Sequence, residues 1–214
     1  MTTVHLRRAA NLTAVIVGLL TAAVFLALPS PARATEKGEA IFAGGCFWCM
    51  ETAFEGQPGV KSVISGFDGG GEKNVSYEQV SSGGTGHAEA VHVWYDPAKT
   101  SYAKLLELYW HNIDPFSSEG QFCDRGHQYR SAIFYLDDAQ KQAAEASKRA
   151  VEAQLKKKVV TEIVAATQFW DAEEYHQDFY KKSPGRYYSY RAGCGRDARL
   201  REVWGDQAGH SAVH

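Results

Sequence analysis

The sequence predicts an α/β chain in the α+β sense, a two-layer sandwich with helices packed on a mixed central sheet. Three observations predict it. Residues Ala88 to Tyr95 alternate with period two: Ala88, Ala90, His92 and Trp94 on one side, Glu89, Val91, Val93 and Tyr95 on the other. Tyr102, Leu105, Leu106, Tyr109 and Ile113 fall on one face of a helix, and Ala139, Ala143, Ala146, Ala150 and Ala153 recur at helical steps. Short apolar runs ended by Gly or Pro interleave with these stretches along one chain.

Taken in order, Glu39 to Gly45 is a strand ending in two glycines, and Cys46 to Phe54 starts a helix that Gln57-Pro58-Gly59 breaks. Val60 to Phe67 is the next strand, ended by Gly69-Gly70-Gly71. Val75 to Val80 and His87 to Tyr95 read as paired strands around the loop Ser81 to Gly86. The helix from Tyr102 stops at Asp114-Pro115. Tyr129 to Leu136 is a strand, the Ala-faced helix follows, and Val159 to Ala166 is a further strand. Ala172 to Lys181 reads as a helix stopped by Pro184-Gly185, and Arg191 to His214 carries no assignable element.

The 214 residues carry a formal charge of −2, with 44% apolar, 12% aromatic and 22% charged residues. That is globular composition, which excludes disorder and a collagen-like repeat. Its largest basic run is Lys156-Lys157-Lys158, which excludes a strongly basic nucleic-acid binder. Four Cys are too few for a disulfide framework and enough for chemistry.

The first 34 residues are expected to be a signal peptide. His5, Arg7 and Arg8 precede an apolar run from Ala9 to Leu28, and Ala32-Arg33-Ala34 forms a small-residue cleavage site. Cleavage after Ala34 would export the chain to the periplasm or the medium, leave a net charge of −5 and leave no membrane span. The rival is an uncleaved anchor. All four Cys (46, 49, 123 and 194) fall in the exported part, where disulfides are permitted. Residues 35–200 are expected to form the catalytic domain and 201–214 a tail.

The most informative stretch is Gly44-Gly45-Cys46-Phe47-Trp48-Cys49-Met50-Glu51. A strand passes through two glycines into a helix that begins at Cys46, where free N–H groups and the helix dipole favour an anion. A thiolate placed there is a nucleophile. Phe47 and Trp48 put apolar surface beside the sulfur. Bland readings compete: a buried core Cys, or half of a zinc site, for which no second CxxC or suitably spaced His pair exists. A third is a thioredoxin-type CxxC at a helix start.

Glu89 lies among apolar residues on a strand, where desolvation would raise its pKa and let it donate a proton. Tyr77 and Tyr129, singly, read as core aromatics with a satisfied hydroxyl. Asp124 opens the polar stretch Asp124-Arg125-Gly126-His127. His176 reads as a packed or surface His on a helix.

Together these stretches carry a resemblance. GCFWCME, SYEQVSSGGTGHAEAV, YDP, QFCDRGHQYRSAIF, VTEIVAA, AEEYHQDFY and YRAGCGRD follow one another as in the A-type peptide-methionine sulfoxide reductases, and the resemblance spans nearly all of residues 38–200. It implies reduction of methionine S-sulfoxide, free or in proteins, to methionine. Cys46 is then the nucleophile and Glu89 the acid that protonates the sulfoxide oxygen. Tyr77 and Tyr129 bind that oxygen, Phe47 and Trp48 form the S-methyl pocket, and Asp124 stands at its edge. Cys46 is left as a sulfenic acid, which a second Cys converts to a disulfide. Cys194 in its Gly-flanked coil and Cys49 three residues from Cys46 are the candidates to resolve it, with Cys123 a third.

No metal or organic cofactor is expected; an external dithiol of the thioredoxin type is. So is a monomer, with oxidised proteins or free methionine sulfoxide as partners and no nucleic acid. The alternative is a general envelope thiol–disulfide oxidoreductase using Cys46 and Cys49. A non-catalytic binding domain built on the Phe47-Trp48 patch is the third possibility.

Overall fold

The computed structural model describes residues 1–2 and 37–209. The expected signal peptide therefore lies outside the described residues, apart from its first two. The strands and helices belong to the unit Ala34–His214. Among the described residues no helix is long and apolar enough to cross a membrane.

The elements run β1 (Gly38–Gly44), α1 (Phe47–Phe54), β2 (Val60–Asp68), α2 (Tyr77–Ser81), β3 (Ala88–Tyr95) and α3 (Tyr102–Trp110). The short β4 (Gly120–Gln121) and β5 (Asp124–Arg125) follow, then β6 (Ser131–Tyr135), α4 (Asp138–Leu155), β7 (Glu162–Ala165) and β8 (Trp170–Asp171). The chain ends with α5 (Phe179–Lys182), α6 (Pro184–Gly193) and α7 (Arg196–Trp204). Six strands form one sheet in the order β7-β6-β1-β3-β2-β8. All its pairings are antiparallel except β6 with β7, so the sheet is mixed, as expected.

The period-two alternation of β3 divides the core. Val91, Val93 and Tyr95 join Ala40, Phe42, Val63 and Phe67 in the main core, with α1, α3 and α4 packed over the same face. Ala88 and Ala90 face the other side with Ile41, Ala43 and Phe134. Phe42 is fully buried and stacks on Phe54 at 5.2 Å and Tyr109 at 5.0 Å between ring centres. Truncating it to Ala would cost about 3–5 kcal/mol. At the far edge Gly66 permits the close approach of β8, because a Cβ there would lie 2.3 Å from the Trp170 carbonyl oxygen.

Three segments depart from the sequence reading. Val75 to Val80 is not a strand. Ser76 and Gln79 form a capping box, each side chain paired with the other's backbone N–H, and start α2. The segment Glu173 to Asp178 is a run of turns rather than a helix, held by cross-chain hydrogen bonds of its own side chains. Pro184 begins α6 instead of ending a helix, because proline at the first helical position has no N–H to lose.

The stretch with no readable signal is part of the core. Arg196 is 1% exposed and donates to the carbonyls of Gly44 (3.1 Å) and Asn112 (2.8 Å). Leu200, Trp204 and Ala208 are buried, and Trp204 Nε1 donates to the Ile113 carbonyl at 2.9 Å. Residues 201–208, expected as a tail, thus pack on the end of α3, since Trp204 and Ala208 bury apolar surface there. Cys123 and Cys194 form a disulfide across a sequence separation of 71. Closing a loop of that length in the unfolded chain is worth about 4 kcal/mol.

Candidate active site

β1 delivers the chain to the site. Gly45, at φ +82°, makes the left-handed turn between the strand and α1, and a side chain there would meet Gln121 Cβ at 2.6 Å. Cys46 caps the helix, and its carbonyl accepts from the N–H groups of Cys49 and Met50. The first free N–H of the helix, on Phe47, donates to Glu89 Oε2 at 2.9 Å. The Asp124 carboxyl lies in the same pocket as Cys46 and Glu89. Two acids therefore occupy the helix start, where the sequence suggested a thiolate alone.

Cys46, Phe47, Trp48, Tyr77, Glu89, Asp124 and Tyr129 line one small pocket of about 60 Å³, together with Tyr190. They come from α1, α2, β3, the β4–β5 hairpin, the turn before β6, and α6. All seven sequence-predicted pocket residues are brought together. A larger open groove of about 660 Å³, bordered by Pro58, Pro97 and Leu105, holds neither a thiol nor a buried acid, so size does not decide where chemistry occurs.

Burial pushes the Glu89 carboxyl up to about 8, against the Phe47 hydrogen bond and with help from the charges of Asp124 and Cys49. At neutral pH it is a protonated acid facing a sulfur. Burial likewise raises Tyr77, to about 12, and Tyr129, so both remain hydrogen-bond donors. Asp124 is also raised by burial, opposed by the hydrogen bond from Tyr190.

Cys46 and Cys49 are free thiols, both buried. Interaction with the neighbouring Cys46 thiol draws Cys49 down to about 6, opposed by burial and aided by the charges of Arg196 and Arg191. Burial raises Cys46, and Cys49 and Glu89 raise it further. The pair thus gives up one proton readily and holds the second. Beside the helix start, the charges of Arg196 and Arg191 also act on the pair. Cys194, the first candidate to resolve Cys46, is instead bonded to Cys123.

Several supporting residues escaped sequence reasoning. Trp48 Nε1 donates to His176 Nδ1 at 3.0 Å, which puts the proton of the neutral ring on Nε2. Burial lowers His176 to about 4, so it stays neutral. Its ring lies 4.2 Å from that of Tyr77, so one residue steadies two walls of the pocket. Glu173 accepts from the Tyr77 N–H at 3.0 Å. Tyr190 donates to Asp124 Oδ2 at 2.5 Å. The stretches AEEYHQDFY and YRAGCGRD hold these residues, but nothing in their periodicity marks them as lining a site.

Comparison with known proteins agrees with the site. The family model described as "Peptide methionine sulfoxide reductase" matches residues 38–208. Peptide methionine sulfoxide reductase MsrA of Bacillus velezensis is 52% identical over 176 residues, covering 81% of this chain and 99% of that protein. MsrA 2 of Rhizobium meliloti is 47% identical over 184 residues, covering 86% and 92%. Among solved structures, reduced Mxr1 of Saccharomyces cerevisiae superposes with a TM-score of 0.67 at 30% identity, over 70% of this chain and 87% of that one. Methionine sulfoxide reductase A of Corynebacterium diphtheriae gives 0.64 at 30% identity, over 72% and 77%. A buried thiol and a protonated buried acid meeting in one pocket, on a chain matched along its folded length, place this protein in the peptide methionine sulfoxide reductase family, as an enzyme that reduces methionine sulfoxide with cysteine thiols.

Proposed function

We propose that Cys46 attacks the sulfur of methionine S-sulfoxide while Glu89 protonates its oxygen. The observation that carries this is the placement of a neutral Glu89, held by the Phe47 N–H, in the same pocket as Cys46. A sulfoxide oxygen leaves only once protonated, so a protonated Glu89 must meet a sulfur nucleophile, and the one proton that the Cys46–Cys49 pair gives up readily supplies the negative charge behind the attack by Cys46. Tyr77 and Tyr129 donate hydrogen bonds to the oxygen as charge gathers there. Phe47 and Trp48 enclose the S-methyl group, and Asp124 closes the pocket edge.

The first product is methionine, with Cys46 left as a sulfenic acid. Cys49 resolves it: its sulfur attacks the Cys46 sulfur, its thiol proton goes to the departing hydroxyl as the S–O bond breaks, and water leaves as the Cys46–Cys49 disulfide forms. Support comes from the position of Cys49, buried about one helical turn from Cys46, and from the engagement of Cys194 with Cys123. An external dithiol of the thioredoxin type then restores both thiols. A general disulfide oxidoreductase leaves Glu89, Tyr77 and Tyr129 without a purpose at Cys46.

Export is part of the same proposal. It is supported by the basic start, apolar run and Ala32-Arg33-Ala34 of the sequence, and it makes the substrates oxidised exported proteins. N-terminal sequencing of protein from the producing cells should begin at Thr35; a chain that retains residues 1–34 in the cytoplasm refutes export.

The central test is turnover of a peptide carrying methionine S-sulfoxide, with dithiothreitol, by wild type and Cys46→Ser. Reduction by wild type and none by the variant is expected. A Cys46→Ser protein that still turns over refutes the assignment of the nucleophile.

A further inference from the structure

The second cysteine pair sits on the rim of the same pocket. β4 and β5 form a two-stranded hairpin with Phe122 and Cys123 at its turn. So small a hairpin has little stability of its own. Its base is fixed, because the buried Gln121 side chain both accepts from the Asp114 N–H at 2.9 Å and donates to the Asp114 carbonyl at 2.8 Å. Its tip is held differently. Cys123 is exposed and buries little apolar surface, yet it is bonded to Cys194 with the Cα atoms 4.8 Å apart.

Next to that bond, Asp124 accepts from the Tyr190 hydroxyl. Tyr190 lies four residues before Cys194, on the same face of α6 and its cap. The disulfide and the hydrogen bond are therefore two parallel rungs between the hairpin tip and α6. The guanidinium of Arg196 stacks over the Phe122 ring at 4.3 Å on the adjoining side. Asp124 and Tyr190 both line the pocket that contains Cys46.

We propose that the Cys123–Cys194 disulfide is a positioning element for the substrate pocket, holding Asp124 and Tyr190 at its rim, and that it exchanges no electrons with Cys46 and Cys49 during turnover. This rests on the assignment of Cys46 as nucleophile and Cys49 as its partner. The two pairs then divide the work: the buried one cycles between dithiol and disulfide, and the surface one stays oxidised. Its target is substrate affinity. With the rung cut, Asp124 is no longer held where the substrate enters, while Glu89 and the dithiol keep their places on β3 and α1.

Stoichiometry tests the absence of exchange. Each sulfoxide reduced consumes two thiols and yields methionine, water and one disulfide. Enzyme with all four thiols free, given excess sulfoxide peptide and no reductant, should release one methionine per chain and keep Cys123 and Cys194 open to alkylation. Two methionines per chain would overturn the proposal, because the second pair would then have supplied electrons.

Kinetics test the positioning. In single turnover without added reductant, against wild type whose Cys123–Cys194 bond is shown intact by alkylation, Cys123→Ser/Cys194→Ser should raise the half-saturating peptide concentration, read as KM, about tenfold, equivalent to about 1.4 kcal/mol, and leave the limiting rate, read as kcat, within about twofold. An unchanged KM, or a collapse of kcat at constant KM, overturns it. Asp124→Asn should raise KM in wild type and add little in the double variant, because both changes remove the same contact. Full additivity would separate Asp124 from the disulfide and overturn the link. Inactivity of the wild type itself would instead refute the proposed function, so the two failures are distinguishable. The burst on wild type needs no variant to fold.

Discussion

The two ends of α1 each hold a buried carboxyl, and the two differ in what surrounds them. At the start, Glu89 is 2% exposed, accepts one hydrogen bond from the Phe47 N–H, and lines the pocket. Toward the other end, Glu51 is 1% exposed and has both oxygens occupied. Its Oε2 accepts from the Ser65 hydroxyl at 2.7 Å and its Oε1 from the Asp178 N–H at 2.6 Å. Burial raises both, Glu89 to about 8 and Glu51 to about 7. Glu89 keeps an oxygen turned to space a substrate can fill, so its proton can be delivered. Glu51 ties α1 to β2 and to the turn that carries His176, so its carboxyl is structural. A shifted pKa marks burial; access decides whether burial becomes chemistry.

The largest expected effect breaks the reactive end. Glu89→Gln should lower kcat/KM about 10²- to 10⁴-fold while leaving binding nearly unchanged, measured on the sulfoxide peptide. The wild-type rate should fall as pH rises through about 8, because the acid form is lost there, and the residual rate of Glu89→Gln should lack that limb. Next, Tyr77→Phe and Tyr129→Phe should each cost about 10²-fold in kcat, as expected for loss of one donor to a developing oxyanion. A change in KM alone would move them from the oxygen to the pocket wall.

At the other end, Glu51→Met should leave the Asp178 N–H and Ser65 hydroxyl without an acceptor. That should destabilise the fold by about 1–3 kcal/mol in denaturant titration, with kcat within a few-fold of wild type. A loss as large as that of Glu89→Gln would erase the contrast between the ends. A further effect is one of linkage. A carboxyl raised from 4.5 to about 8 on folding binds more protons in the native state across that window. Stability therefore falls as pH rises through it, by at most about 1.4 kcal/mol per pH unit. Glu89→Gln should gain on wild type between pH 5 and 8 in parallel thermal melts, and the gain should level off above that.

Much of this was legible without coordinates. The period-two alternation of residues 88–95 placed Glu89 on the side of β3 that faces the core, because a strand turns successive side chains to opposite faces. The apolar spacing of residues 102–113 placed α3, and the Ala steps placed α4. Gly44-Gly45 before Cys46 signalled the strand-to-helix turn. Those are local patterns, set by backbone sterics and by the need to bury one face, and a single sequence carries them. The same local reading failed at α2, where a capping box outweighed an apolar run, and at Pro184, where a stop signal served as a start.

What the tertiary structure alone decided are the long-range pairings. The contacts of Phe47 with Glu89, Trp48 with His176, Glu51 with Asp178 and Asp124 with Tyr190 span 42 to 128 residues of sequence. No periodicity encodes them, because each depends on how separate elements stack. The pairing of Cys194 with Cys123 is of this kind. Four cysteines admit three complete pairings, and only the packing of α6 against the β4–β5 hairpin selects one. The sequence determined which chemical groups the enzyme owns and the strands and helices that carry them. Folding decided which groups meet, since proximity between distant residues is a property of the packed core and not of the chain.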